Sequence, residues 1–192
     1  MRKRIVFLGS DGSGKSSLIS YIKNKFENEG KKIEVVFMGW RDFRNPVLRF
    51  FSGIYNKRKK NSPDKEKLDR FRKRSWFFYF IYYSELWLRY FRVLFSRADF
   101  ILIDRYFYDE LVFTSGIKFK FFRLLTPKPD LCFILRASNE DLRKREIYFT
   151  KEKLENFYNA LYRVENICKT IRVNSSKPIK KIYNEIFPVL IQ

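Results

Sequence analysis

Apolar residues fall along the chain in short dense runs separated by longer mixed stretches, and this spacing predicts the elements. The run "RIVFLG" (4–9) leads into a Gly-rich segment. In "KSSLISYIKNKFENEG" the apolar positions Leu18, Ile19, Ile22 and Phe26 then take helical spacing before the pattern stops at Gly30. "KIEVVFM" (32–38) is a second β-rich run, so the opening predicts a β-α-β unit of the kind that builds parallel sheets. "DFILID" (99–104) and "DLCFIL" (130–135) are almost continuously apolar, as expected of strands whose two faces are both covered by helices, and "TIRVN" (170–174) supplies a weaker fifth strand. Helices are expected over 64–96, 138–146, 150–168 and 178–190. No internal repeat and no shift in composition marks a second domain. The expected fold is therefore one α/β domain over 1–192, a three-layer α/β/α sandwich around a five-stranded parallel sheet.

Two stretches complicate that pattern. Residues 76–95, "WFFYFIYYSELWLRYFRVLF", are long enough to raise a transmembrane helix, but Ser84, Glu85, Arg89 and Arg92 interrupt them. Charges near the centre of a span cost about 2.5–3.5 kcal/mol each on insertion scales, so a packed helix with a wide apolar face is the first reading and an interfacial membrane contact the second. Residues 57–74, "KRKKNSPDKEKLDRFRKR", are dense in cations; a solvated face comes first here, ahead of a nucleic-acid or membrane patch. The formal net charge of +20 extends the same theme to the whole chain and points to polyanionic partners: nucleotides, nucleic acid or an anionic membrane. The basic start is followed by an apolar run, Ile5 to Leu8, too short for a signal peptide, so the chain is read as intracellular and cytoplasmic. Histidine is absent and the two cysteines, Cys132 and Cys168, have no metal spacing, which excludes histidine chemistry and Cys/His zinc sites and leaves reduced structural thiols.

The chemistry begins at "GSDGSGKSS" (9–17). Residues 9–16 fit GxxxxGK followed by Ser, with the expected strand before and helix after. In such a loop Gly9, Gly12 and Gly14 let the backbone N–H groups, including those of Ser10, Asp11, Ser13 and Ser17, turn toward a phosphate. Lys15 reaches the β- and γ-phosphates of ATP, Ser16 offers a hydroxyl to Mg²⁺, and the helix N-terminus adds its dipole. The second element is "FILIDRY" (100–106), an apolar strand that presents Asp104 and Arg105 at its carboxyl end, where ligands sit in open parallel sheets. Asp104 suits a carboxylate that organises Mg²⁺ or its waters, and Arg105 suits bidentate binding of an acceptor phosphate.

Taken together, "GSDGSGKSS", "DRY", "PDLCFIL" and the cationic "LRKRE" (142–146) resemble the thymidylate kinase family of P-loop nucleoside monophosphate kinases, and most of all its divergent thymidylate kinase-like branch. The resemblance runs over nearly the whole chain. It implies a kinase that uses ATP and Mg²⁺ with nucleotide substrates, dTMP foremost, a small helical lid near 138–152, and the homodimers frequent in the family. It also implies that Asp11 meets the acceptor's sugar hydroxyl, that Arg105 holds the acceptor phosphate, and that Arg143, Lys144 and Arg145 close over the donor. Because the loop has no arginine of its own at Ser10, Gly12 or Ser13, the lid would supply positive charge to the moving phosphoryl group. The chain departs from the family in two places. An arginine expected after the second strand finds two candidates in "GWRDFRNP" (39–46), Arg41 and Arg44, and the ring-reading arginine is replaced by Tyr82, Tyr83 and Ser84. Two other readings stand beside it: a P-loop kinase of a sugar, lipid-linked or other non-nucleotide acceptor, and a nucleic-acid-binding NTPase or regulator that uses the basic surface.

Overall fold

The computed structural model describes residues 2–39, 46, 49–50, 76–112, 114–145 and 150–191. The charge run 57–74 and both Arg41 and Arg44 lie outside the described residues. The chain divides into two compact units, Met1–Phe37 with Ser96–Gln192, and Met38–Phe95.

The first unit carries the expected sheet. Its strands are β1 (Lys3–Gly9), β2 (Ile33–Phe37), β3 (Phe100–Asp104), β4 (Leu131–Arg136) and β5 (Thr170–Asn174), all parallel, in the order β2-β3-β1-β4-β5. β3 is buried at every position and β4 at all but Arg136, which is why both read as unbroken apolar runs instead of alternating ones. On one face of the sheet, Ile5, Phe7, Leu102, Phe133 and Leu135 form a single cluster with Leu18, Ile22 and Phe26 of helix α1 (Lys15–Asn28). Truncating a fully buried ring such as Phe26 would cost about 3–5 kcal/mol. α1 ends where the spacing stops: Gly30, at φ 76°, donates to Glu27 O at 2.9 Å and Lys31 to Phe26 O at 3.0 Å, the paired bonds of a Schellman cap.

The strand order places a switch point between β1 and β3, because the connection leaving β1 runs toward the β2 edge and the one leaving β3 runs toward the β5 edge. Phe7 is in register with Asp104 and Gly9 with Leu135. The "DR" end of β3 and the start of the Gly-rich loop are thereby brought side by side.

Helix α2 (Trp76–Phe95) belongs to the second unit and buries one side, with Tyr79, Tyr82, Tyr83, Leu86, Tyr90 and Val93 inside. Arg92 is exposed, but the two charges nearer the middle are not at the surface. Glu85 and Arg89, one turn apart, form a buried ion pair at 2.7 Å, and Arg89 also donates to Gly39 O at 2.9 Å. Among the described residues no helix is long and apolar enough to cross a membrane.

In the first unit, α3 (Tyr108–Leu111) and α4 (Gly116–Leu124) fill a segment in which the hydrophobic pattern singles out no helix. The reason is visible in α4: only Phe122 is buried, while Ile117 and Leu124 stand exposed, so its apolar residues do not mark one covered face. The remaining helices match the expected segments, with tighter ends except at Ile191, one residue past the expected stop. They are α5 (Asn139–Lys144), α6 (Lys151–Tyr162), followed by a 3₁₀ turn at Arg163–Asn166, and α7 (Ile179–Ile191). α7 runs through Pro188, whose lost N–H removes one bond near the helix end.

Candidate active site

The loop after β1 is shaped by its glycines. Gly9, Gly12 and Gly14 all take positive φ. Gly9 is the tightest: a Cβ there would lie 2.5 Å from Leu135 O and 2.7 Å from Ser13 Oγ, so no other residue fits between the loop and β4. Gly14 is the N-cap of α1, and no side chain caps that helix. The first turn therefore keeps its backbone donors, at Lys15, Ser16 and Ser17, for an anion.

Lys15 folds back over this loop and donates to Gly9 O at 2.9 Å, Ser10 O at 2.7 Å and Ser13 Oγ at 3.4 Å. Burial, and then the charge of Arg105, hold its ammonium below the ordinary lysine range. An arriving phosphate would relieve both penalties, because it brings the counter-charge that the carbonyls lack.

Ser16 Oγ donates to Asp104 Oδ2 at 2.8 Å, joining the helix start to the end of β3. The other oxygen, Asp104 Oδ1, is buried with no hydrogen-bond partner. Among the described residues no cluster of acidic or cysteine side chains could hold a metal ion by itself. A hydroxyl beside a carboxylate with an oxygen to spare is nonetheless the sparse donor set that suits Mg²⁺, which keeps waters and takes its remaining oxygens from phosphates. The residues fit the ion.

Arg105 departs from the strand geometry that precedes it. Among the described residues it alone has a positive φ without being glycine, at 67°, and its N–H still donates to Phe7 O at 3.0 Å. Such a backbone costs on the order of 1–2 kcal/mol and has to be held by its surroundings. The guanidinium pairs with Asp11 of the loop and stands 3.6 Å from Asp109 Oδ1, while Asp109 Oδ2 accepts from Tyr106 N at 2.9 Å. Burial pushes the Asp109 carboxyl above the usual carboxylate range; the Arg105 charge, the Tyr106 N–H and Lys15 act against it.

From the lid side, Arg145 donates to Gly12 O, so one of the expected lid arginines already touches the loop. Arg143 is exposed on the short helix α5 that Arg145 follows, and Lys144 pairs with Glu140 at 3.2 Å. Residues 146–149 of the expected lid lie outside the described residues.

Two residues at the site stand outside the candidates that the sequence offers. Tyr158 of α6 is fully buried, and its hydroxyl meets Ser10 Oγ and Leu135 O at 3.1 Å each and Ala137 N at 3.3 Å, tying loop, β4 and the approach to α5 together. Asp109 is the other. It closes the run "DRYFYD" (104–109), which resembles the "DRYYYD"-type motif of the thymidylate kinase-like branch, so the resemblance points to the segment without giving the acid a role.

A Gly-rich loop between β1 and α1, a lysine folded over it, and a strand-end carboxylate tied to the following serine define the P-loop kinase type of α/β fold. No family model matches the chain, and no curated protein matches it. Among solved structures, thymidylate kinase from Candida albicans superposes with a TM-score of 0.62 at 16% identity, covering 98% of this chain and 91% of its own. Deoxyadenosine kinase from M. mycoides with bound dATP gives 0.53 at 16% identity, with 98% and 100% covered. Thymidylate kinase from Ehrlichia chaffeensis gives 0.55 at 15% identity, with 100% and 99% covered. At these identities the likeness establishes the fold alone.

Proposed function

We propose that this protein is a kinase that transfers the γ-phosphoryl group of ATP to a nucleoside monophosphate, with dTMP the leading acceptor and ADP and the diphosphate as products. One observation carries the reading: Arg105 stands at the strand end beside Asp104, facing the loop through Asp11, so one cation lies where a second phosphate would meet the first. A simple NTPase has no use for that second anion site. Kinases of thymidylate and of deoxyadenosine share the architecture, which supports a nucleotide or nucleoside substrate.

The chemistry follows from charge placement, because phosphoryl transfer asks the protein for alignment and neutralisation more than for a strong base. The loop N–H groups and the N-terminus of α1 bind the donor's phosphates, and Lys15 leaves its carbonyl partners to follow the charge on the β- and γ-oxygens. Arg145 is near enough to the loop to reach the transferring group, with Arg143 joining it from the exposed side of α5. Arg105 binds the acceptor phosphate and brings its oxygen into line. Mg²⁺, held by Ser16 with Asp104 ordering its waters, would neutralise charge between the donor's phosphates.

At the positions where the resembled family places its ring-reading arginine, Tyr82 and Tyr83 are buried and Ser84 donates to Ile81 O of its own helix at 2.7 Å. That favours, as a second reading, an acceptor whose phosphate rather than its base is recognised. A coupled ADP-release assay across dTMP, dUMP, CMP, UMP, AMP, deoxyadenosine and sugar phosphates decides between them. Turnover restricted to one or two nucleoside monophosphates supports the first reading; turnover of sugar phosphates alone supports the second; ADP release indifferent to every acceptor defeats both.

A further inference from the structure

Among the described residues, Arg105 is flanked by two carboxylates of opposite character. The Asp11 side chain is 67% exposed, whereas that of Asp109 is only 12% exposed. Asp109 also grips two points: Oδ2 takes the N–H of Tyr106, the residue directly after Arg105, and Oδ1 faces the guanidinium. Oδ1 is buried and makes no hydrogen bond, so its charge is favoured from a distance, by Arg105 first and by Lys15 after it. A buried carboxylate needs such a cation, and a residue held at φ 67° needs its next peptide fixed; one side chain meets both needs.

We propose that Asp109 is a positioning residue for Arg105, the permanent partner that fixes the arginine's backbone and aims its guanidinium, while Asp11 is the exchangeable partner that an acceptor phosphate displaces. This division of labour deepens the functional reading above and rests on it for the identity of the anion. It explains why two acids crowd a cation that is meant to bind phosphate. A phosphate can replace the solvent-facing Asp11 without disturbing the aim of Arg105, because the second contact lies behind it. Asp11, once released, is free for another group of the acceptor.

The test separates charge from fold. Asp109→Asn keeps an oxygen for Tyr106 N–H and removes only the charge. It is expected to raise the acceptor KM about tenfold, a loss of about 1.4 kcal/mol, while the KM for ATP stays within about twofold. In an Arg105→Ala background the same change should have no further effect. A D109N protein that lowers only the melting temperature, raises both KM values alike, or keeps its effect without Arg105 overturns the proposal. Inorganic phosphate, titrated calorimetrically, gives a readout that needs no turnover and so survives a failure of the kinase reading. Phosphate should bind more weakly to D109N and more tightly to Asp11→Asn, which removes only the competitor. Should D109N not fold, the exposed D11N variant still decides: weaker phosphate binding there means that Asp11 supports Arg105 and contradicts the division.

Discussion

Residues 9–15 and Arg105 meet at the carboxyl ends of neighbouring strands and are held in place by different means. The loop is a matter of backbone: three glycines at positive φ, an uncapped helix N-terminus and a lysine bonded to carbonyls. Arg105 is a matter of side chains: a strained backbone kept in place beside one exposed and one buried carboxylate. Backbone cradles tolerate only the residues that can adopt their angles, so they leave a fixed signature in any sequence that contains them. A side-chain clamp has many chemical solutions, and this one uses Asp109.

The contrast predicts graded failures. Lys15→Ala removes the cation that follows charge onto the transferring phosphate, and should lower phosphoryl transfer by roughly a thousandfold with the fold intact, measured as initial rate beside melting temperature. Gly9→Ala should act on the fold first. Its Cβ meets a main-chain oxygen at 2.5 Å, so a loss on the order of 2–3 kcal/mol in denaturant unfolding is expected, with nucleotide binding weakened in parallel. Arg105→Ala should leave the donor side alone and raise the acceptor KM by roughly ten- to a hundredfold, the worth of one or two charged hydrogen bonds. If it instead raised the ATP KM equally, the two sides would not be separable.

The smallest effect lies away from the crevice, where β4 and β5 pair with Cys132 opposite Thr170. Hydrogen bonding from Cys132 brings the Cys168 thiol down to about 7, while burial pushes Cys132 up. Iodoacetamide should therefore label Cys168 with a half-maximal rate near pH 7, slower below it as the thiolate is protonated, and leave Cys132 untouched in the native protein. Phosphoryl transfer should be unchanged by that label, since neither thiol is part of the site.

The same contrast explains how much could be read from the amino acids. The strands, α1 and the loop were legible because Gly9, Gly12, Gly14, Lys15 and Ser16 sit at a spacing dictated by backbone geometry, and because "FILID" is buried on both faces. Asp104 and Arg105 followed from their place at a strand end. Tyr158 was not legible: it meets Ser10 across 148 residues of sequence, and an aromatic at helical spacing announces only a covered face. Asp109 lay inside a legible motif, "DRYFYD", but its role was not legible, since nothing in the spacing shows its second oxygen beside Arg105. α4 escaped because its apolar residues are mostly exposed, which defeats any inference from periodicity to burial.

The central claim is that a donor phosphate in the loop and an acceptor phosphate at Arg105 exchange a phosphoryl group. Incubation with ATP labelled at the γ-phosphate and a panel of nucleoside monophosphates tests it directly. The expected result is label in a nucleoside diphosphate, matched one for one by ADP, absent with Lys15→Ala and restored at high acceptor concentration with Arg105→Ala. Label appearing only as inorganic phosphate, whatever acceptor is present, would contradict it.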